Sequence, residues 1–309
     1  MATTRQGPAR GRLKKIALAV ILLGVLAGHA AAGDITVTDD SDRRVSLDDP
    51  AQRVVSLAPH ATELLFAVGA GDQIVGTVSH SDYPAEARNI PRVGGYDAVD
   101  IERILSMQPD LVVGWASGNG EPTIERLKEL DLTVFVNEPR ALDDIAHSMA
   151  RLGRLTGHAE GGRDAAKAFR ERLASLRERY ADRPEVPVFY EVWHEPLMTV
   201  SADHIISEMI AVCGGRNVFA ELDARVPTVD TEAVLGADPE AVVASGMGSE
   251  RPDWLDAWRD WDGLKAAEQD NLFHIPPSLT QRATPRLLDG AQQLCEKLEI
   301  ARERRAEGS

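Results

Sequence analysis

Apolar and polar positions along the chain alternate between two periods. Short apolar runs of strand length are separated by segments in which apolar residues recur every three or four positions, as on one face of a helix. The strand segments are 53–57, 73–78, 111–115, 133–136, 186–192, 241–245 and 272–275. The helical segments are 60–68, 100–107, 122–130, 141–155, 207–212, 231–236 and 284–300. Strands that alternate with helices predict parallel sheets covered by helices, an α/β fold.

The middle of the chain has a different pattern. Residues 158–181 are rich in Ala, Arg, Glu and Leu and contain no proline, and Pro184 follows them. This composition predicts one long helix that connects two lobes. We therefore expect the following organisation: signal peptide 1–32, N-terminal α/β lobe 33–157, connecting helix 158–183, C-terminal α/β lobe 184–302 and disordered tail 303–309.

The first 33 residues have the layout of a secretory signal peptide. Basic residues precede an apolar run that starts at Ile16, and the small residues Ala30, Ala31 and Ala32 follow it. The apolar run is shorter than the roughly 20 residues that span a bilayer. Cleavage after Ala32 is the main expectation, and an uncleaved membrane anchor is the alternative.

The charge of the chain excludes some classes of partner. The formal net charge is −15, and removal of the five basic residues of the predicted signal makes it about −20. Such a surface repels nucleic acid, because Lys and Arg contacts to phosphate supply most of that binding. We expect no nucleic-acid role.

The chain has two cysteines, Cys213 and Cys295. In an oxidising compartment two cysteines without a competitor favour a disulfide, and two separate buried thiols are the alternative. No Cys/His spacing is typical of zinc, so we expect no resident metal.

The two halves of the chain contain one segment with similar sequence in each. D-I-E-R-I-L-S-M-Q-P-D-L-V-V at 100–113 resembles D-T-E-A-V-L-G-A-D-P-E-A-V-V at 230–243. Glu102 and Glu232 hold equivalent places, each two residues after an Asp that could cap a helix. They could serve as acids at a helix N-terminus. Their matched placement equally indicates a shared surface role.

Motifs of enzymes are not found. The sequence has no G-x-S-x-G, H-E-x-x-H or G-x-x-x-x-G-K. The aromatic content is low, and several aromatic residues fall at or just after predicted strand ends: Tyr83, Tyr96, Trp115, Tyr190 and Trp193. Ligands of open α/β sheets bind outside the carboxyl ends of the strands. Ligand contact or core packing can explain each, and we expect Tyr190 in the core.

Two polar residues are further candidates. His80 follows a predicted strand in V-S-H-S-D-Y-P and could ligate a metal or be solvated. Arg286 stands at the start of the last helix and could bind a ligand edge or be a solvated helix-start residue.

Five segments together resemble a known family. They are V-V-S-L-A-P-H-A-T-E-L-L-F-A-V-G-A, S-H-S-D-Y-P, D-I-E-R-I-L-S-M-Q-P-D-L-V-V-G-W, E-M-I-A-V-C-G-G-R-N-V-F and R-A-T-P-R-L-L-D-G-A-Q-Q-L-C. The chain resembles the periplasmic substrate-binding proteins of ABC importers for cobalamin, haem and ferric siderophores, and most of all the cobalamin-binding members. The resemblance covers about residues 53–298.

The resemblance implies a fold, a partner and a function. The fold would be two Rossmann-like lobes joined by one long rigid helix, and the late Q-Q-L-C would pair Cys213 with Cys295. The protein would be a periplasmic, monomeric binding protein and not an enzyme. It would carry cobalamin or a related corrinoid as cargo, with no cofactor of its own. Glu102 and Glu232 would dock onto the permease dimer in the inner membrane.

The resemblance also implies ligand contacts, with departures. Trp115 corresponds to a cobalamin-contacting tryptophan, Tyr96 stands where another tryptophan would be, and Arg286 resembles a pocket arginine. His80 replaces a tyrosine that covers the ligand. Tyr83 and Trp193, selected above from their position after predicted strands, complete the predicted set of ligand contacts. The missing aromatics near Thr228, Leu279 and Thr280 leave haem or a ferric siderophore as alternative cargo.

Overall fold

The structure is a computed structural model that describes residues 1–4, 35–246 and 250–308. The predicted signal peptide and its cleavage point after Ala32 lie almost entirely outside the described residues. No helix in the described ranges is long and apolar enough to cross a membrane.

The strands form two parallel sheets and one antiparallel hairpin. The strands are β1 (Ile35–Thr38), β2 (Arg44–Leu47), β3 (Val54–Ser56), β4 (Ile74–Thr77), β5 (Leu111–Gly114), β6 (Val134–Val136), β7 (Val186–Glu191), β8 (Gly215–Asn217), β9 (Ala241–Ala244) and β10 (Leu272–His274). The first sheet has the order β4-β3-β5-β6 and the second β10-β9-β7-β8, and β1 pairs with β2. All seven predicted strands are confirmed. The hairpin and β8 were not predicted.

Helices connect and cover the strands. They are α1 (Pro59–Ala67), α2 (Ile101–Ser106), α3 (Ala116–Asn119), α4 (Glu121–Glu129), α5 (Leu142–Leu155), α6 (Ala159–Tyr180), α7 (Ile205–Val212), α8 (Thr231–Ala237), α9 (Lys265–Glu268) and α10 (Leu287–Glu307). We call the elements before α6 the first lobe and those after it the second lobe. The predicted α/β fold with two parallel sheets and a long helix between them is confirmed, whereas the exact lobe boundaries stay a prediction.

The long helix α6 contributes more to the core than its polar sequence indicates. Its 22 residues extend about 33 Å. Phe169, Leu173 and Tyr180 on one face are buried in an apolar cluster that includes residues of both sheets. Gly153 and Gly162 allow α5 and α6 to approach, because a Cβ on Gly162 would lie 2.6 Å from the Met149 carbonyl oxygen. The helix therefore shares a continuous core with both lobes.

The C-terminal helix carries one confirmed prediction and one correction. Cys213, at the end of α7, forms a disulfide with Cys295 of α10. The predicted disordered tail is wrong, because α10 continues to Glu307. Arg302 donates hydrogen bonds to the main-chain oxygens of Pro184 and Cys213, which holds the last turns against the second lobe.

Candidate functional site

A cavity of about 270 Å³ lies between the two lobes. Both lobes supply its walls, and its position matches the carboxyl ends of parallel strands, where α/β proteins bind ligands. The lining residues are His60, Trp115, Ser117, Glu138, Pro139, His204, Ile205, Arg225, Val226, Gln281 and Ala283. We call this cavity the cleft.

An aromatic pair forms part of the first-lobe wall. Trp115 directly follows β5, and its main-chain N–H donates to Oδ1 of Asn119 at 2.7 Å. The Nδ2 group of Asn119 donates to the main-chain oxygen of Tyr96 at 2.6 Å. The Tyr96 and Trp115 rings pack with centroids 5.6 Å apart, and Tyr96 remains 40% exposed. The buried Asn119 thus fixes the two predicted ligand contacts beside each other.

Two histidines in the cleft were not predicted. His60 is buried in the first turn of α1, with its ring edge-on to Trp115 at a centroid distance of 5.2 Å. Burial lowers its pKa to about 4, although nearby carboxylates oppose this. His204 caps α7, because its Nδ1 accepts from the main-chain N–H of Ile206 at 3.2 Å. Burial, assisted by the Arg225 charge, lowers the pKa of His204 to about 4.

A polar pair crosses the cleft. Glu138, which follows β6, accepts hydrogen bonds from the Ser117 main-chain N–H at 2.9 Å and the Ser117 hydroxyl at 2.8 Å. Arg225 approaches the same carboxylate from the second lobe, with Nη1 3.5 Å from Oε1. The Nε of Arg225 is buried and has no hydrogen-bond partner within the described ranges. The cleft therefore offers one carboxylate acceptor and one guanidinium donor beside an aromatic face.

A second polar cluster joins the lobes near the cleft. Glu63 of α1 is 4% exposed and accepts hydrogen bonds from Arg286 and from Arg282. Arg282 also donates to Asp82 Oδ1 at 2.7 Å. We call Glu63, Asp82, Arg282 and Arg286 the lobe clamp. Ion pairing with Arg282 holds the pKa of Asp82 below its usual value, although partial burial opposes this.

The sequence offered two roles for Arg286, a ligand contact or a solvated helix-start residue. The structure shows a different set of contacts. Its guanidinium is engaged by Glu63, and its face lies over the Tyr83 ring, 3.8 Å from the centroid. Tyr83 itself is 46% exposed. These contacts place Arg286 in the lobe clamp, and Arg286 does not line the cleft.

His80 and Trp193 are also outside the cleft lining. His80 is exposed, in a left-handed conformation with φ of 64°, and its main-chain oxygen accepts from Arg282. Trp193 is 38% exposed, and its Nε1 donates to the main-chain oxygen of Glu195 at 2.8 Å. Of the six predicted ligand contacts, the structure places Trp115 in the cleft lining and Tyr96 against it. Tyr190 is fully buried, as expected.

Glu102 and Glu232 occupy matched positions in the two lobes. Asp100 caps α2 and Asp230 caps α8, and each accepts a hydrogen bond from the main-chain N–H three residues on. Glu102 and Glu232 follow in the first turns and are exposed. Neither forms an ion pair with any residue of the described ranges, so both carboxylates are available to a partner.

Sequence reasoning could have found part of the unpredicted set. His60 lies four residues after the end of β3, and Glu138 lies two residues after the end of β6. The same strand-end rule applied to polar residues would have selected both. Arg225 lies in a loop far from any strand end, and no local signal marks it.

Comparison with known proteins gives a consistent assignment. Residues 54–279 match the periplasmic binding protein family. The vitamin B12-binding protein of Vibrio cholerae serotype O1 is 36% identical over 253 residues, which cover 82% of this chain and 91% of that protein. The vitamin B12-binding protein of Yersinia pestis is 34% identical over 249 residues, covering 80% and 86%.

Solved structures agree. The periplasmic vitamin B12-binding protein BtuF of Vibrio cholerae aligns with a TM-score of 0.75 and 35% identity, over 82% of this chain and 98% of that one. The periplasmic haem-binding protein BhuT aligns with a TM-score of 0.73 over 82% and 99%, but at 21% identity it shows the fold alone. These relatives are binding proteins rather than enzymes. The chain, with its two parallel sheets joined through α6, belongs to the periplasmic binding protein family.

Proposed function

We propose that this protein captures cobalamin or a related corrinoid in the cleft and delivers it to the permease of an ABC importer in the inner membrane. It acts in the periplasm as a monomer, after removal of residues 1–32. The relatives at 34–36% identity are named for vitamin B12 binding. The observation that carries the proposal is the cleft wall, where Trp115 lies beside the Glu138–Arg225 pair.

The polar groups of the cleft suit a ligand edged with amides. A corrinoid is a broad apolar macrocycle whose side chains are carboxamides. An amide N–H can donate to Glu138, and an amide oxygen can accept from Arg225, whose Nε has no partner in the described part of the chain. The edge of haem carries carboxylates, which Glu138 would repel and Arg225 would attract. The names of the relatives, rather than the charge of the cleft, favour a corrinoid over haem.

Ligand entry requires the lobes to separate at one side. The cleft of about 270 Å³ is smaller than the roughly 300–1,000 Å³ of pockets that enclose small ligands. The Glu138–Arg225 contact at 3.5 Å is partly exposed and is therefore the weaker connection. The lobe clamp, in which Glu63 is buried between Arg282 and Arg286, stays closed and acts as the hinge. Opening frees Glu138 and Arg225 for the ligand.

The predicted residues keep distinct roles in this proposal. Trp115 and Tyr96 stack against the macrocycle. His80, Tyr83 and Trp193 extend the contact surface outside the cleft, and Arg286 acts through the lobe clamp. Glu102 and Glu232 dock onto the two halves of the permease dimer. Both are exposed, and neither has an ion-pair partner among the described residues, which supports the docking role.

Calorimetric titration of the mature protein tests the cargo. Cyanocobalamin and cobinamide should bind, whereas haemin and a ferric hydroxamate should not. Glu138→Ala should weaken corrinoid binding by about 10-fold or more, because a charged hydrogen bond contributes roughly 1.5–3 kcal/mol. Glu86→Ala, at an exposed site, is the control. Binding of haemin alone would overturn the proposal.

A further inference from the structure

His60 combines three features that its place in the fold does not explain. Its Nε2 is buried and has no hydrogen-bond partner among the residues that the structure describes. Its ring lines the cleft rather than the interior of the first lobe. The main-chain carbonyl of Asn137 accepts a hydrogen bond from the ring. Since Nε2 has no partner, that bond belongs to the Nδ1–H group, and Nε2 carries a lone pair.

A metal-bound histidine typically makes the same hydrogen bond through the ring nitrogen that does not bind the metal. A ligating imidazole usually donates its second ring N–H to a carbonyl or carboxylate, which fixes the tautomer and the ring orientation. Burial keeps the ring unprotonated at neutral pH, with a pKa of about 4. An orphaned buried polar atom is costly, so a partner supplied by the ligand offsets that cost.

The other cleft histidine lacks these features. Nδ1 of His204 accepts the main-chain N–H of Ile206, so its ring proton is on Nε2 and its lone pair is occupied. His80, the metal ligand considered from the sequence, is exposed and outside the cleft. His60 is therefore the histidine of the cleft with a free ring nitrogen.

We propose that Nε2 of His60 is an axial ligand to the metal of the bound macrocycle, which is cobalt in a corrinoid. The inference rests on the proposed function. The step is a ligand exchange: the bond from cobalt to an axial water breaks, a bond from cobalt to Nε2 forms, water leaves, and the oxidation state is unchanged. Nε2 is covered in the closed cleft, so ligation needs the same opening that admits the ligand.

Electron paramagnetic resonance of the protein mixed with cob(II)inamide tests the bond. This probe has no lower base of its own, so an axial nitrogen must come from the protein. Each resolved cobalt line should split into three with wild-type protein, and into two when the protein is labelled with ¹⁵N-histidine. His60→Ala should give unsplit lines. His147→Ala removes an exposed imidazole of the first lobe and should keep the three-line pattern.

The outcomes separate this inference from the proposed function. Equilibrium dialysis first measures retention of the corrinoid, and no retention by wild-type protein overturns both. Retention with unsplit lines overturns the axial ligand alone. A split pattern that persists in His60→Ala but disappears in His80→Ala also overturns it. If His60→Ala does not fold, His60→Gln replaces it, because the amide fills the same buried position.

Discussion

Glu63 of the first lobe accepts two hydrogen bonds from Arg286 of the second lobe, at 2.9 Å from Nε and 2.8 Å from Nη2. Arg282 adds a third hydrogen bond to the same carboxylate at 3.0 Å. All three side chains are largely out of water, where charge-assisted hydrogen bonds are strong and an unpaired charge is costly. The contact therefore fixes the separation of the lobes on this side of the cleft.

Glu63→Gln should destabilise the protein clearly. The substitution keeps the size of the side chain but leaves two poorly solvated guanidinium groups without their shared carboxylate. Breaking one partner of a buried pair costs about 3 kcal/mol. Urea denaturation measures the loss in the free energy of unfolding. Glu86→Gln removes an exposed carboxylate and should change little, and equal stability of the two variants would contradict the role of the clamp.

The disulfide should add a further increment. Cys213 and Cys295 are 82 positions apart, so the cross-link restricts a long loop of the unfolded chain. Replacing both with serine should lower the free energy of unfolding by roughly 2–5 kcal/mol. Denaturation with and without a reductant checks this, because reduction should destabilise only the wild-type protein. A wild-type protein insensitive to reduction would contradict the expectation.

The regular elements could be predicted because their signals are local. Buried parallel strands appear as short apolar runs, and β5 and β9 are examples in which every residue is buried. Strands β1 and β2 have only four residues each, and two of the four are polar. This pattern is too short to predict a hairpin. Strand β8 has the sequence Gly-Arg-Asn, and its pairing with β7 depends on tertiary contacts that no local pattern indicates.

The site was predictable only in part, since its polar half is formed by long-range contacts. Trp115 was found because it directly follows β5, whereas Tyr96 lies in the long connection between β4 and α2 and was found from the resemblance to the family. The partner of Arg286 is Glu63, 223 positions away, and no pattern in the sequence connects them. The same applies to Arg225 and Glu138. Side chains that cross between lobes are fixed by the assembled fold, so sequence reasoning treated Arg286 as free.

Stability should fall as the solution is acidified below neutral pH, and His204 should contribute. Burial lowers its pKa from 6.5 to about 4, so the unfolded chain binds a proton in this interval that the folded protein does not. The contribution is complete above pH 6.5 and is lost as the pH falls towards 4. Its size is roughly 2–3 kcal/mol.

A variant isolates this titration. His204→Asn removes the ionisable ring but keeps a side-chain acceptor for the N-terminus of α7. The difference in unfolding free energy between pH 7 and pH 4.5 should be smaller in this variant than in wild-type protein. His147→Asn, at a mostly exposed histidine, should keep the wild-type difference. Identical pH dependence in all three proteins would refute the assignment.

Docking through Glu102 and Glu232 can be tested separately from ligand binding. Glu102 and Glu232 are exposed on equivalent helices of the two lobes, and neither lines the cleft. A Glu102→Ala/Glu232→Ala double variant should therefore bind corrinoid with unchanged affinity but fail to support uptake by the cognate importer. Exposed charge pairs act mainly on association rate and register and are screened by salt, so uptake with the wild-type protein should fall towards that of the variant as the salt concentration rises.

The matched control is Glu86→Ala/Glu221→Ala, which removes the same charge from exposed positions of the two lobes. Uptake of labelled corrinoid into cells or proteoliposomes, together with calorimetry, gives both readouts. Each single docking variant should retain part of the uptake, because the permease dimer would still engage one lobe. If the double variant loses ligand affinity, the glutamates serve the cleft. If it transports normally, the docking surface lies elsewhere.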